Sequence, residues 1–125
     1  MRVLLLLLAL SLTGCVNGNN YPTTWAREYC RSLYACIEDT DSIEDFLGYD
    51  DEAECRESVT ADLEDSTTYD QWEEGDRDFD SDAANSCIDE VAQIRDDADC
   101  GSMNLIDFAV DASNEDCNEV YPEAE

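Results

Sequence analysis

Six cysteines, at positions 30, 36, 55, 87, 100 and 117, constrain what this 125-residue chain can fold into more than any other feature. The body around them is poor in core-building residues, with 17 Leu, Ile, Val and Phe in residues 15–125. Over the whole chain 33 Asp and Glu face 6 Arg, with no Lys and no His, for a net charge of −27. Few aliphatics and a high net charge are the signature of a disordered chain. An even set of cysteines reverses that expectation, because a bridge closing a loop of about 15 residues contributes roughly 3 kcal/mol by restricting the unfolded ensemble. Three bridges suffice for one small domain in an oxidising compartment, and there is no length for a second.

The charge and the missing residue types exclude several function classes. Without imidazole there is no Ser-His or Cys-His nucleophile pair and no His metal ligand. Without Lys there is no Schiff base and no phosphate-gripping ammonium. Nucleic acid and anionic bilayer surfaces are repelled, so neither is expected as a partner through surface charge.

A seventh cysteine lies apart from the others. Met1 and Arg2 precede an apolar run over residues 3–10 that ends at Leu12-Thr13-Gly14-Cys15. The run is a secretory signal, too short to span a bilayer as a mature helix. The four residues at its end resemble the lipobox of bacterial lipoproteins, an aliphatic and two small residues before a Cys that becomes residue one of the mature chain. The resemblance implies a thioether-linked diacylglycerol and an amine acylated by a chain such as palmitate, both at Cys15. Stable anchoring requires more than one acyl chain. Val16, where Asp does not stand, implies the outer membrane as the destination. Cleavage before Cys15 leaves 125 − 14 = 111 residues, a charge of 5 − 33 = −28 and six cysteines. The expected organisation is a signal peptide over residues 1–14, a lipidated tether over 15–23, a six-cysteine helical domain over 24–121 and an acidic tail over 122–125. Residues 16–23, extended, reach at most roughly 30 Å.

Periodicity predicts a mostly α domain of three main helices plus short pieces and acidic loops. Thr24 caps the first, in which Trp25, Tyr29, Leu33, Cys36 and Ile37 share a face. Cys30 and Cys36, six apart, point in different directions and seek different partners. Glu28 and Arg31 are spaced as an i,i+3 pair. Residues 39–48 read as loop, with Ile43, Phe46 and Leu47 covering a core edge. The second helix follows Asp50 and Asp51, with a Glu52–Arg56 pair and a stripe of Cys55, Val59 and Leu63. Residues 65–80 read as mostly loop, with one turn of helix near Trp72. The third helix, over residues 82–95, places Ala84, Cys87, Ile88, Val91 and Ile94 on one face; Asp80 or Ser81 caps it and Arg95 suits its C-terminal partial charge. Residues 103–110 are the most apolar run of the mature chain, a short helix or a strand. A last short helix starts near Asn114 and carries Cys117 and Val120.

Six cysteines allow 15 connectivities. An antiparallel hairpin of the first two helices brings Cys36 to Cys55; Cys100 and Cys117 then close a C-terminal loop, and Cys30 is left for Cys87. The body also resembles six-cysteine lipoprotein domains of myxobacteria and their relatives. The likeness rests on Tyr29-Cys30 with Cys36, on Phe46-Leu47-Gly48-Tyr49 before Glu54-Cys55, and on Phe79-Asp80 leading to Ala83-Ala84 and Cys87-Ile88-Asp89. It implies export and a helical disulfide fold, and it brings no catalytic residue.

Candidate chemistry is sparse. Asp76, Asp78, Asp80 and Asp82 alternate in the manner of a calcium loop. In EF-hand spacing, however, Ala83 falls where the turn Gly belongs and Asp89 where the bidentate Glu belongs, and a frame from Asp76 ends on Cys87. The pattern fails in both frames, so a solvated acidic loop capping the third helix is the expected reading, and low-affinity divalent-cation binding stands as the alternative. Paired carboxylates perform glycoside hydrolysis when one is held in an apolar setting, and only Asp107, inside Leu105-Ile106-Asp107-Phe108, has such neighbours. No two cysteines show the short gap of zinc knuckles or redox motifs, so disulfides are expected. A chain so poor in aliphatics is expected to use Tyr69, Trp72 and Phe79, and residues 103–110, for its own core, with an exposed patch that contacts a partner as the alternative. The expected function is a membrane-anchored exported lipoprotein with a structural or interaction role at the cell envelope. It is held by lipid at Cys15 and engages an envelope protein, with no catalytic residue, no cofactor and no nucleic acid.

Overall fold

The structure, a computed structural model, describes residues 16–124. The expected signal peptide, residues 1–14, and the expected lipidation site Cys15 lie outside the described residues. The domain is built from α1 (Tyr21–Cys36), α2 (Thr40–Leu47), α3 (Glu52–Glu64), α4 (Thr67–Glu73), α5 (Ser81–Gln93), α6 (Leu105–Ala112) and α7 (Glu115–Asn118), with 3₁₀ turns at Ile94–Asp96 and Cys100–Ser102. It is mostly helical, and three helices dominate, α1 with 16 residues and α3 and α5 with 13 each. No strand occurs among the described residues beyond an isolated Arg77–Glu123 bridge.

The acidic composition makes local sense at the helix starts. Asp51, Ser66, Asp80, Asn104 and Asn114 each accept a hydrogen bond from a first-turn backbone N–H, capping α3, α4, α5, α6 and α7. Carboxylates such as Glu52, Asp70, Asp82 and Asp107 follow in the first turns, where the positive end of the helix dipole favours them. Glu52 and Arg56 form the expected i,i+4 ion pair on α3. Glu28 instead takes Arg27 and Arg95, at 3.6 and 2.8 Å, and not Arg31.

Around α1, the central helix, α3 and α5 pack on different sides. One core cluster joins Leu33, Cys30, Cys36, Ile43, Cys55, Val59 and Phe108; a second joins Tyr21, Tyr69, Ala84, Cys87, Ile88 and Tyr121. Trp25, half-buried, touches both clusters.

All six cysteines of the domain are paired, but not as the helix order suggested. Cys30 bonds Cys55, Cys36 bonds Cys100 and Cys87 bonds Cys117, replacing the expected Cys30–Cys87, Cys36–Cys55 and Cys100–Cys117. The cause is α2. Residues 40–47 form a helix and not a loop, and Gly48, at φ +81°, ends it by donating its N–H to the carbonyls of Ile43 and Glu44. With that helix in the connection, α3 begins beside the middle of α1 and meets Cys30. Cys36 is free for the turn carrying Cys100. The reading that Cys30 and Cys36 take different partners holds.

Both ends of the domain differ from expectation as well. Thr24 does not cap α1, which begins at Tyr21 with Pro22 in its first turn. Residues 16–20 are no loose tether. The Asn17 Oδ1 accepts from the N–H groups of Asn19 and Asn20, Tyr21 N–H donates to the Asn17 carbonyl, and Val16 packs on the second cluster. At the other end Asp78 and Asp80 donate their N–H groups to the carbonyls of Pro122 and Val120, so the start of the expected tail runs antiparallel to residues 77–80. Residues 67–73, within the stretch read as mostly loop, form two turns of helix.

Candidate functional site: an apolar groove

The aromatic residues from the acidic stretch are core. Tyr69 is buried, and Trp72 and Phe79 are half-buried. All three lie against Tyr121, with ring centroids 6.0, 5.7 and 5.6 Å away. Tyr121 donates its hydroxyl to the Gly18 carbonyl at 2.9 Å, and Tyr21 places its hydroxyl 3.3 Å from the Cys87 sulfur. Burial raises both phenols above their ordinary range, and for Tyr121 the neighbouring Tyr69 and Tyr21 add to it. These groups are structural and neutral, not partner-facing.

The other candidate stretch divides. In α6, Phe108 and Ala112 face inward and are buried, and Tyr29 meets Phe108 edge-on at 5.3 Å. On the opposite side Ile106 and Val110, four residues apart, are 76% and 67% exposed. A helix that is apolar on both sides is ordinarily buried on both. Its outer face here has no cover among the described residues. Across from it, α2 turns Ile43 inward and leaves Phe46 80% and Leu47 39% exposed, so these two do not cover a core edge.

These two faces line one groove of about 1180 Å³, with Ile37, Met103, Leu105 and Ala109 also lining it. Four large apolar side chains on two facing walls make it an exposed hydrophobic patch of the kind that marks an interaction site. Its volume exceeds the about 300–1,000 Å³ typical of small-molecule sites.

The rim is acidic, and no cation lines it among the described residues. Glu38 and Asp39 stand at one edge of the groove. Beside it a smaller depression is lined by Asp97, Asp99, Asp107 and Asp111 together with Met103 and Val110. No Arg occurs between residues 32 and 55 or after residue 95. Arg side chains elsewhere are engaged within the fold: Arg95 reaches Glu28 and Ser32, Arg27 reaches Glu28, Arg77 reaches Gln71 and the Tyr121 carbonyl, and Arg56 reaches Glu52.

The carboxylates singled out by sequence do not assemble into a site. Asp80 caps α5 through its Oδ1, 3.0 Å from the Ala83 nitrogen, and Asp76, Asp78 and Asp82 are exposed. Among the described residues no group of three or more Asp, Glu, Cys or His side chains is placed to hold a metal ion. Asp107 is exposed on α6 and not sunk in an apolar setting. The groove walls of α2 were missed because acidic residues dominate 38–45; the signals present were the Ile43–Leu47 spacing and Gly48 as a C-cap. Comparison with protein-family models, with curated proteins and with solved structures finds no match to this chain.

Proposed function

We infer that the protein is an exported lipoprotein, anchored through lipid at Cys15, whose disulfide-stapled domain is a binding module at the cell envelope and not an enzyme. The observation that carries the reading is the complete pairing of the other six cysteines, which leaves Cys15 no intrachain partner and suits an oxidising compartment. The lipobox resemblance assigns that cysteine a role, and the apolar groove supplies the domain with a surface for a partner. Val16 following Cys15 favours the outer membrane. Because Val16 already packs on the core, the domain would stand at the bilayer surface and not at the end of a roughly 30 Å tether.

Intact mass of the membrane fraction tests the anchor. The expected result is a mature chain starting at residue 15 with a diacylglycerol and a further acyl group, and a Cys15→Ser variant found outside the membrane fraction. A variant that stays equally membrane-bound, or a mature chain without lipid, would overturn it.

A further inference from the structure

The groove between α2 and α6 has chemistry specific enough to name its occupant. Its walls present Phe46 and Leu47 on one side and Ile106 and Val110 on the other, and every ionisable group at its rim is a carboxylate. The spacing of Ile106 and Val110, one helical turn apart, is the register at which one helix packs into another.

We propose that this groove is the docking site for a cationic amphipathic helix of a partner protein, whose apolar stripe enters between α2 and α6 while its Lys and Arg residues meet the acidic rim. The proposal deepens the reading of the domain as a binding module and does not depend on the lipid anchor. A helix in a groove needs apolar anchors at i, i+3, i+4 and i+7. The groove of about 1180 Å³ has room for several such side chains.

Charge decides among the occupants. A second copy would bring Glu38, Asp39, Asp107 and Asp111 against the same carboxylates, with no cation nearby to offset them. A membrane is disfavoured by charge, because Glu38 and Asp39 in the groove and the Asp residues of the adjoining depression repel an anionic bilayer surface. A basic partner helix satisfies both the apolar walls and the acidic rim, and a purely apolar one would leave the carboxylates facing uncompensated desolvation.

The test uses the full chain with its disulfides intact and three 18-residue helical peptides labelled for fluorescence anisotropy. One carries Leu at i, i+3, i+4 and i+7 with Lys elsewhere, one replaces the Lys by Glu, and one shuffles the Lys peptide to destroy its stripe. The expected result is saturable binding of the Lys peptide alone, weakened by added salt, and weakened at least about tenfold by Ile106→Ser with Val110→Ser and separately by Phe46→Ser. All three positions are exposed, so unchanged helicity and melting temperature confirm that the variants keep the fold. Equal binding of the shuffled peptide, or binding unaffected by both variants, reduces the effect to diffuse charge and overturns the proposal. A concentration-dependent dimer broken by Phe46→Ser, or vesicle binding by the Cys15→Ser chain that the same substitution abolishes, assigns the groove to another occupant. Peptide binding by a chain found without lipid would sink the anchor alone; a lipidated chain that binds no peptide would sink the groove's partner alone.

Discussion

Gly18 shows how closely single positions are specified. A Cβ placed there would lie 2.1 Å from the nearest Trp72 ring atom, and its carbonyl accepts the Tyr121 hydroxyl. Only a residue without a side chain lets the segment before α1 close over the indole. Gly18→Ala is expected to destabilise the domain by about 1–3 kcal/mol, as overpacking does. Urea unfolding measures the loss, and Trp fluorescence of the native state should shift as the ring is displaced. Arg95 is a second such position. In sequence it reads as a charge suited to the end of a helix. In the fold it reaches Glu28 at 2.8 Å and the fully buried Ser32 hydroxyl at 3.1 Å, while Ser32 donates to the Val91 carbonyl. Arg95→Ala leaves the Glu28 carboxylate, itself 13% exposed, without that partner. The expected cost is about 2–3 kcal/mol, below that of a fully buried pair because Arg95 keeps some exposure. Glu28→Gln in the same background should recover part of it in a double-mutant cycle.

At the scale of elements, the three long helices were legible because their apolar residues recur with helical period, and α3 and α5 also start on an Asp cap, whereas the start of α1 carries no side-chain cap. The short helices α2 and α4 were not, since 8 and 7 residues offer two turns of periodicity among many carboxylates. Tertiary contact, through Ile43 and Tyr69, makes them helical. Element contacts also set a pH response. Glu90 on α5, although exposed, has its carboxyl raised above the ordinary range, first by desolvation and then by the charge and hydrogen bond of Asp116 on α7. A raised acid means that the native state holds the proton more tightly than the unfolded chain. Its stabilising contribution is therefore complete below the unfolded pKa and is lost as pH rises through the folded one. Glu90→Gln should flatten the pH dependence of stability in that window and raise stability at neutral pH, read by melts across a pH series. An unchanged slope would show that the contact with Asp116 has no energetic weight.

For the whole molecule, three disulfides close loops in a chain that is acidic and poor in aliphatics. Cys36–Cys100 closes the longest loop, with a sequence separation of 64, against 25 for Cys30–Cys55 and 30 for Cys87–Cys117. Restricting the unfolded chain makes the first worth about 4 kcal/mol and the others about 3.5 kcal/mol each. Replacing Cys36 and Cys100 together by Ser should be the most damaging of the three paired removals, and full reduction should abolish helical circular dichroism at neutral pH. Retained helicity after reduction would mean that the core alone suffices. The buried phenols of Tyr21 and Tyr121 set an alkaline limit. Raised by burial, they stay neutral in the fold while the unfolded chain ionises them, so stability falls as pH rises past about 10. Tyr21→Phe should reduce that fall.

From the amino-acid order alone come the helical class, the use of six cysteines as staples, and the exclusion of imidazole and amine chemistry. Each follows from residue type and local spacing, which act over a few positions of chain. The pairing of the cysteines, the burial of the acidic stretch's aromatics and the pairing of Arg95 with Glu28 were decided only in three dimensions. So was the groove. Whether an apolar face is core or surface depends on what else arrives to cover it: α1 and Tyr29 cover Phe108, and nothing among the described residues covers Ile106, Val110 or Phe46.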